Sequence, residues 1–191
     1  MTEAAASETT HRLIRPIALV GLMGSGKSSV GLRLAKALDV PFVDADDEIK
    51  TAAGRTIAEI FEEYGEAEFR ALERRVIARL MTGDPRVIAT GGGAFMDPDT
   101  RELVGKTAVS VWLKADLDVL VQRTAGRTHR PILNAGDPRQ ILAGLIETRY
   151  PKYALADVAV ESVADITHER MAGRIIEALL ADGRAFSTGA A

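Results

Sequence analysis

The sequence predicts an α/β domain with a parallel sheet covered on both faces by helices. Two observations lead there. Short continuous apolar runs alternate with segments of helical period along most of the chain, and a glycine-rich stretch joins the first strong run to the first helix. At 191 residues the chain suits one domain by the usual ~150-residue prior, and it is long enough to bury a core without cross-links.

In chain order, residues 1–12 are rich in Ala, Thr, Ser and Glu without an apolar period and read as a disordered tail. Glu3 and Glu8, with no apolar stretch beside them, fit neither a secretory nor a transit peptide. Ile17, Ala18, Leu19 and Val20 form an apolar run ending in Gly21, which suits a strand buried on both faces. Val30, Leu34, Ala37 and Leu38 repeat at helical spacing, and Asp39 with Pro41 ends that helix. Phe42 and Val43 begin a second strand. Thr56 and Glu59 form a T-x-x-E capping box, each side chain accepting from the other residue's backbone N–H, and open a helix through Ile57, Ile60 and Phe61. Gly65 interrupts it, and a longer helix runs through Phe69, Leu72, Val76 and Leu80 to Gly83. Val87 to Ala89 make a third strand before Gly91, Gly92 and Gly93, and Val109 to Leu113 a fourth. Helices are expected over Leu117 to Gln122 and, opening near Pro138, through Ile141, Leu142, Leu145 and Ile146. Val158 to Val160 form the last strand, and Ile175, Ile176, Leu179 and Leu180 belong to a final helix before Gly183. Residues 124–137 break the rhythm with Gly126, Arg127, Arg130, Pro131, Asn134 and Gly136; they read as a lid whose arginines reach a phosphate, or as a solvated connection. The domain thus covers 13–182, with 183–191 a flexible C-terminal tail.

Composition narrows the chemistry. Cysteine is absent, which removes disulfides, thiolate metal sites and a cysteine nucleophile. Basic side chains number 24 against 27 acidic, a net charge of -3 that argues against a general basic field for nucleic acid. No apolar stretch approaches the ~20 residues that span a bilayer. Neither nucleic acid nor membrane is an expected partner.

Gly21-Leu22-Met23-Gly24-Ser25-Gly26-Lys27-Ser28 fits G-x-x-x-x-G-K-[ST] between the first strand and the first helix. Such glycines let successive backbone N–H groups turn toward phosphate oxygens, the helix N-terminus adds its positive end, Lys27 reaches the β- and γ-phosphates, and Ser28 ligates magnesium. A glycine-rich turn with an exposed lysine is the alternative, but the strand-to-helix flanks favour nucleotide binding. Asp44-Ala45-Asp46-Asp47 ends the second strand, at the sheet edge beside that loop. There Asp44 can hold a magnesium-bound water and Asp46 can take a hydroxyl proton from an acceptor; helix capping by Asp46 or Asp47 competes with this. Arg70 precedes Glu73 by three residues, so the carboxylate either orients the guanidinium for a ligand or forms a surface ion pair. Gly91-Gly92-Gly93 either lets backbone approach a ligand or makes a simple turn. Arg149, before Pro151, faces a ligand or the carbonyls at its helix end. His11, His129 and His168 form no recognisable site, and Trp112 reads as core.

In order and spacing these motifs resemble the shikimate kinase family: G-L-M-G-S-G-K-S at 21–28, D-A-D at 44–46, G-E-A-E-F-R at 65–70, T-G-G-G at 90–93, R-P-I-L at 130–133 and R-Y-P-K-Y at 149–153. The resemblance runs from about Ile17 to Leu180. It implies a P-loop NTPase fold of the nucleoside-monophosphate-kinase type, with a five-stranded parallel sheet flanked by helices and a lid. It implies transfer from ATP to shikimate, giving ADP and 3-phosphoshikimate on the way to chorismate, with magnesium as cofactor, by a cytoplasmic monomer. By the same resemblance Gly24, Ser25, Gly26, Lys27, Ser28, Ser29, Arg123 and Arg130 bind ATP, Arg123 beside the adenine and Arg130, or its neighbour Arg127, on the phosphates. Asp46, Arg70, Gly91, Gly92, Gly93 and Arg149 bind shikimate, and Ser28 and, through water, Asp44 serve the metal. Lys27, Asp46 and Arg130 act in the transfer, Asp46 as base. The chain departs from the family pattern at Lys152, Ala154 and Leu155. A gluconate kinase, a nucleoside monophosphate kinase and a nucleotide-dependent switch are the rival readings, and the lack of an N-K-x-D motif argues against a guanine-nucleotide switch.

Overall fold

Five short strands lie side by side, all parallel, in a computed structural model that describes residues 10–125 and 136–189. With a separate two-stranded pair, the described strands in chain order are β1 (Thr10–Leu13), β2 (Ile17–Val20), β3 (Phe42–Asp44), β4 (Val87–Ala89), β5 (Val109–Lys114), β6 (Val158–Glu161) and β7 (Phe186–Gly189). The helices are α1 (Lys27–Leu38), α2 (Ala45–Ala53), α3 (Ile57–Leu80), α4 (Pro98–Thr107), α5 (Leu117–Thr124), α6 (Pro138–Tyr153) and α7 (His168–Asp182). A five-stranded parallel sheet is what the alternating pattern and the family resemblance imply, and its order is β3-β4-β2-β5-β6.

Both faces of the central strand are buried, which is why Ile17 to Val20 carry no polar residue. Ile17 and Leu19 share one core cluster with Val30 and Leu34 of α1 and Met171, Ile175 and Leu179 of α7. Ala18 and Val20 point the other way, into a cluster with Ile49, Val76, Ile77, Leu120 and Leu142 from α2, α3, α5 and α6. The capping box forms as expected: Thr56 N donates to Glu59 Oε2 at 2.7 Å, and Glu59 N to Thr56 Oγ1 at 3.2 Å. Gly65 breaks α3 with φ 77° and ψ 175°, a backbone region that only glycine enters readily. Among the described residues no helix is long and apolar enough to cross a membrane.

Three differences from the sequence reading stand out. Residues 10–12 and 183–189, expected in tails, are ordered: β1 pairs antiparallel with β7, with Leu13 opposite Phe186. Leu13, Ala185 and Phe186 are buried in the cluster that also holds α1 and α7. Thr10, His11 and Arg12 show no apolar alternation, and their partner strand lies at the far end of the sequence, so no local signal marks the pair. Residues 1–9 and 190–191, the rest of that expectation, lie outside the described residues. The second difference is α2, which Asp44 caps and Gly54 closes in a left-handed turn. The third is a 3₁₀ turn at Ala94–Met96 followed by α4, where Asp97 accepts from Thr100 N at 2.8 Å and Pro98 takes the first helical position.

This topology brings three loops to the C-terminal edge of the sheet. Residues 21–26 leave β2, Asp44 ends β3 and Gly91–Gly93 follow β4, and these three strands are neighbours. Burial of the terminal pair leads to a stability test. Phe186→Ala is expected to cost about 3 kcal/mol in urea unfolding, whereas a residue in a flexible tail would leave the midpoint unchanged.

Candidate active site

The phosphate-loop residues make the turn that their spacing predicts. Gly21, Gly24 and Gly26 all have positive φ, at 143°, 84° and 99°. A methyl on Gly21 would stand 2.8 Å from the Leu113 carbonyl oxygen, so the loop also lies tight against β5. Gly26 caps α1 without a side-chain bond to the first-turn N–H groups, and no acidic residue occupies that turn, so the helix start suits an anion. Lys27 Nζ donates to Gly21 O at 2.8 Å and Leu22 O at 3.1 Å, which holds the ammonium against the loop. Gly24, Ser25, Ser28 and Ser29 follow the same curl into α1.

Asp44 joins this loop to the next. Its Oδ2 accepts from Ser28 Oγ at 2.6 Å and its Oδ1 from Asp46 N at 3.0 Å. The cap of α2 is therefore Asp44, neither Asp46 nor Asp47, and the Asp46 side chain is left to face the site. Burial pushes the Asp46 carboxyl above the ordinary aspartate range, and the Asp44 charge adds to this against the pull of Lys27.

Gly91, Gly92 and Gly93 each meet a different charged group. A methyl on Gly91 would stand 2.7 Å from Glu73 Oε1 and 2.9 Å from Asp46 Oδ1, so both carboxylates converge on that residue. A methyl on Gly93 would stand 2.6 Å from Arg70 Nη1. The carbonyl of Gly92 accepts from Arg149 Nη1 at 3.0 Å and from the Tyr153 hydroxyl at 2.5 Å. These are close approaches of side chains to backbone, beyond the needs of a simple turn.

The competing readings of the arginines resolve in the same geometry. Arg70 Nη1 donates to Glu73 Oε2 at 2.7 Å, and Glu73 is only 3% exposed, so the pair is no surface ion pair. Arg70 Nη2 also reaches Glu66 at 3.3 Å. Burial raises the Glu73 carboxyl and nearby Asp46 adds to this, while the Arg70 bond opposes both. Arg149 bonds a carbonyl of the neighbouring loop, and α6 continues past Pro151 to Tyr153. Lys152, Ala154 and Leu155, the departures from the family pattern, are exposed, while Tyr153 between them is fully buried. Trp112 is core, edge-on to Tyr150 with ring centroids 5.0 Å apart.

Arg123 lies behind the phosphate loop. It donates to Ser162 Oγ at 2.8 Å and Val163 O at 2.6 Å, and Ser162 in turn donates to Ser25 O at 3.0 Å. Arg127, His129 and Arg130, with the rest of 126–135, lie outside the described residues. The sequence reading gave no role to Tyr153, because its partner is 61 positions away and no local spacing links them. Among the described residues no group of three or more His, Cys, Asp or Glu could hold a metal by itself. Ser28 and Asp44, hard oxygen donors beside the phosphate loop, suit a cation that takes most of its ligands from phosphate and water. Together these groups can bind a nucleotide's phosphates, grip a small carboxylate between two guanidiniums and accept a proton between the two.

The shikimate kinase family model matches residues 23–180. The chain is 54% identical over 169 residues to a shikimate kinase from Paramagnetospirillum magneticum, covering 88% of this chain and 86% of that protein. A solved structure of shikimate kinase from Acinetobacter baumannii in complex with shikimate matches with a TM-score of 0.84 at 35% identity, over 90% of this chain and 96% of that one. A gluconokinase from Sinorhizobium meliloti 1021 shares the fold, at a TM-score of 0.56 and 24% identity over 91% of this chain and 99% of that one. With a family model over most of its length and a relative at this identity, the chain belongs to the shikimate kinase family.

Proposed function

We propose that this chain transfers the γ-phosphoryl group of ATP to the 3-hydroxyl of shikimate, giving ADP and 3-phosphoshikimate. The reading rests above all on the loop after β4, the strand next to that of the phosphate loop, where Asp46 lies against Gly91, Arg149 bonds the Gly92 carbonyl and Arg70 lies against Gly93. Two guanidiniums meet one carboxylate, whose burial without charged, bidentate partners would be unfavourable. Asp46 then faces a hydroxyl of the same acceptor. The acceptor oxygen attacks the γ-phosphorus, the bond to the β–γ bridging oxygen breaks, and Asp46 takes the hydroxyl proton. Lys27 follows the charge that develops on the transferring group. Backbone N–H groups from Gly24 to Ser29 hold the phosphates, and Arg123, fixed by Ser162, stands beside the base.

Ser28 and Asp44 fit magnesium, which when bound supplies positive charge to the β- and γ-phosphate oxygens. Asp44 acts through a water, as the family resemblance implies, and each of its oxygens, which accept from Ser28 and Asp46 N, keeps a lone pair to receive one. Arg130 is assigned to the phosphates on the family resemblance alone.

Gluconate is the acceptor that tests the assignment most directly, because it too is a polyhydroxylated carboxylate. Magnesium-dependent ADP formation in a coupled assay is expected with shikimate and not with gluconate; the reverse would overturn the reading.

Asp46→Asn removes the proton acceptor but keeps its size, so kcat is expected to fall roughly 100-fold or more. Shikimate affinity by calorimetry should change less. The wild-type rate carries a second sign of this role. Asp46 accepts a proton only when ionised, and its raised pKa means that the rate declines on acidification while still above the ordinary carboxylate range of about 4. That acid limb should be missing from the Asn variant's pH profile.

Arg70→Lys keeps the charge and loses the planar fork, and is expected to raise the shikimate KM while leaving ATP affinity nearly unchanged. Arg70→Ala should weaken shikimate binding by about 2–5 kcal/mol, since the acceptor carboxylate and Glu73 both lose their partner. Normal shikimate binding with weak ATP binding in that variant would move Arg70 to the nucleotide site.

A further inference from the structure

Tyr153 closes α6 with a side chain that no solvent reaches. A buried hydroxyl needs a partner, and this one passes over its own helix to reach the carbonyl of Gly92. Arg149 precedes Tyr153 by four residues, so both side chains leave one face of α6 and meet at the same oxygen. A carbonyl oxygen has two lone pairs, and here each has its donor. The peptide that follows Gly92 therefore cannot turn without breaking two bonds, and the guanidinium is tied at one of its nitrogens.

Aromatic packing makes the anchor stiff. The Trp112 ring lies 6.1 Å from that of Tyr153 and edge-on to Tyr150, whose hydroxyl donates to Ala115 O at the end of β5. Burial, with the opposing influence of Arg149, pushes the Tyr153 hydroxyl up to about 12, so it keeps its proton over the working range and stays a donor. A long, flexible arginine loses rotamer freedom when it grips a ligand, and a side chain already fixed has less to lose.

We infer that Tyr153 is a positioning residue for the acceptor carboxylate: through the Gly92 carbonyl that it shares with Arg149, it sets the guanidinium and the Gly92–Gly93 backbone in the binding orientation. This rests on the shikimate kinase reading of the site. Tyr153 acts through its neighbours and need not touch the acceptor.

Tyr153→Phe keeps the ring and deletes the hydroxyl. The expected result is a shikimate KM raised about tenfold, equivalent to 1.4 kcal/mol, with kcat and the ATP KM within about twofold of wild type. Tyr150→Phe, which loses a hydroxyl of the same cluster away from Gly92, should leave the shikimate KM unchanged. In an Arg149→Lys background, Tyr153→Phe should add less than about twofold, because the two residues act on one oxygen. A variant with a lower melting temperature but a wild-type shikimate KM would overturn the inference. So would an effect that multiplies in full with Arg149→Lys, or an equal rise in Tyr150→Phe. Wild-type enzyme in the same assay separates the two levels: if its ADP formation ignored shikimate, the reading of the function would fall and the inference with it. Should Tyr153→Phe not fold, Trp112, the single tryptophan, gives the answer in the wild type. Its emission is expected to stay unshifted on saturation with shikimate in the absence of nucleotide, because the anchor is set before the acceptor arrives, and a shift would overturn the inference.

Discussion

Gly91 to Gly93 set the spacing of four charged groups of the site, Asp46, Glu73, Arg70 and Arg149. Gly91 and Gly93 give up a side chain so that neighbours can lie against the backbone, two carboxylates at Gly91 and the guanidinium of Arg70 at Gly93, while the guanidinium of Arg149 bonds the carbonyl of Gly92. Buried ions are tolerated when they are paired and hydrogen-bonded, and otherwise they neutralise or move. The loop meets that condition by bringing acids and bases within reach of one another over three residues. Its own place is fixed by β4, which lies between β3 and β2, so the same sheet order that builds the core also sets the acid beside the phosphate loop.

Asp44 couples the two halves of the site. One oxygen accepts from Ser28 at the start of α1 and the other from the backbone of Asp46 at the start of α2. A displacement of the phosphate loop would thus be felt at the N-terminus of the helix that carries Asp46. The raised proton affinity of Asp46 follows from the same closeness, since its burial beside a second carboxylate disfavours its charge more than Lys27 favours it. One arrangement therefore supplies a carboxylate beside the phosphate loop and a neighbouring group suited to accept a proton.

Local chemistry was legible in the sequence. The five parallel strands, the capping box at Thr56 and Glu59, the break at Gly65 and the phosphate loop all rest on residues within a few positions of each other. Two helices were missed although their signals are present: Asp44 before Asp46, Asp47 and Glu48 with Gly54 beyond, and Asp97 directly before Pro98. The cap of α2 is Asp44, two residues before Asp46 and three before Asp47, the caps that the sequence offered, so the Asp46 side chain is not spent on capping. Contacts made across the fold were beyond local spacing. The burial of Glu73 beneath Gly91, the reach of Tyr153 to Gly92 and the pairing of β1 with β7 each depend on segments that only the sheet brings together.

The β1–β7 pair also bears on the order of assembly. β1 leaves the ribosome before every other described element and β7 after them, so their ladder closes a loop of almost the whole domain. Closure entropy grows with the logarithm of loop length, and such a contact becomes favourable only once the intervening chain is compact. Leu13 and Phe186 belong to the cluster that α1 and α7 complete on the sheet, so their burial is complete only when those helices have docked. During synthesis the first described strand waits without its partner while the catalytic edge of the sheet is already being built, and the last described element to be made is the one that pairs with it.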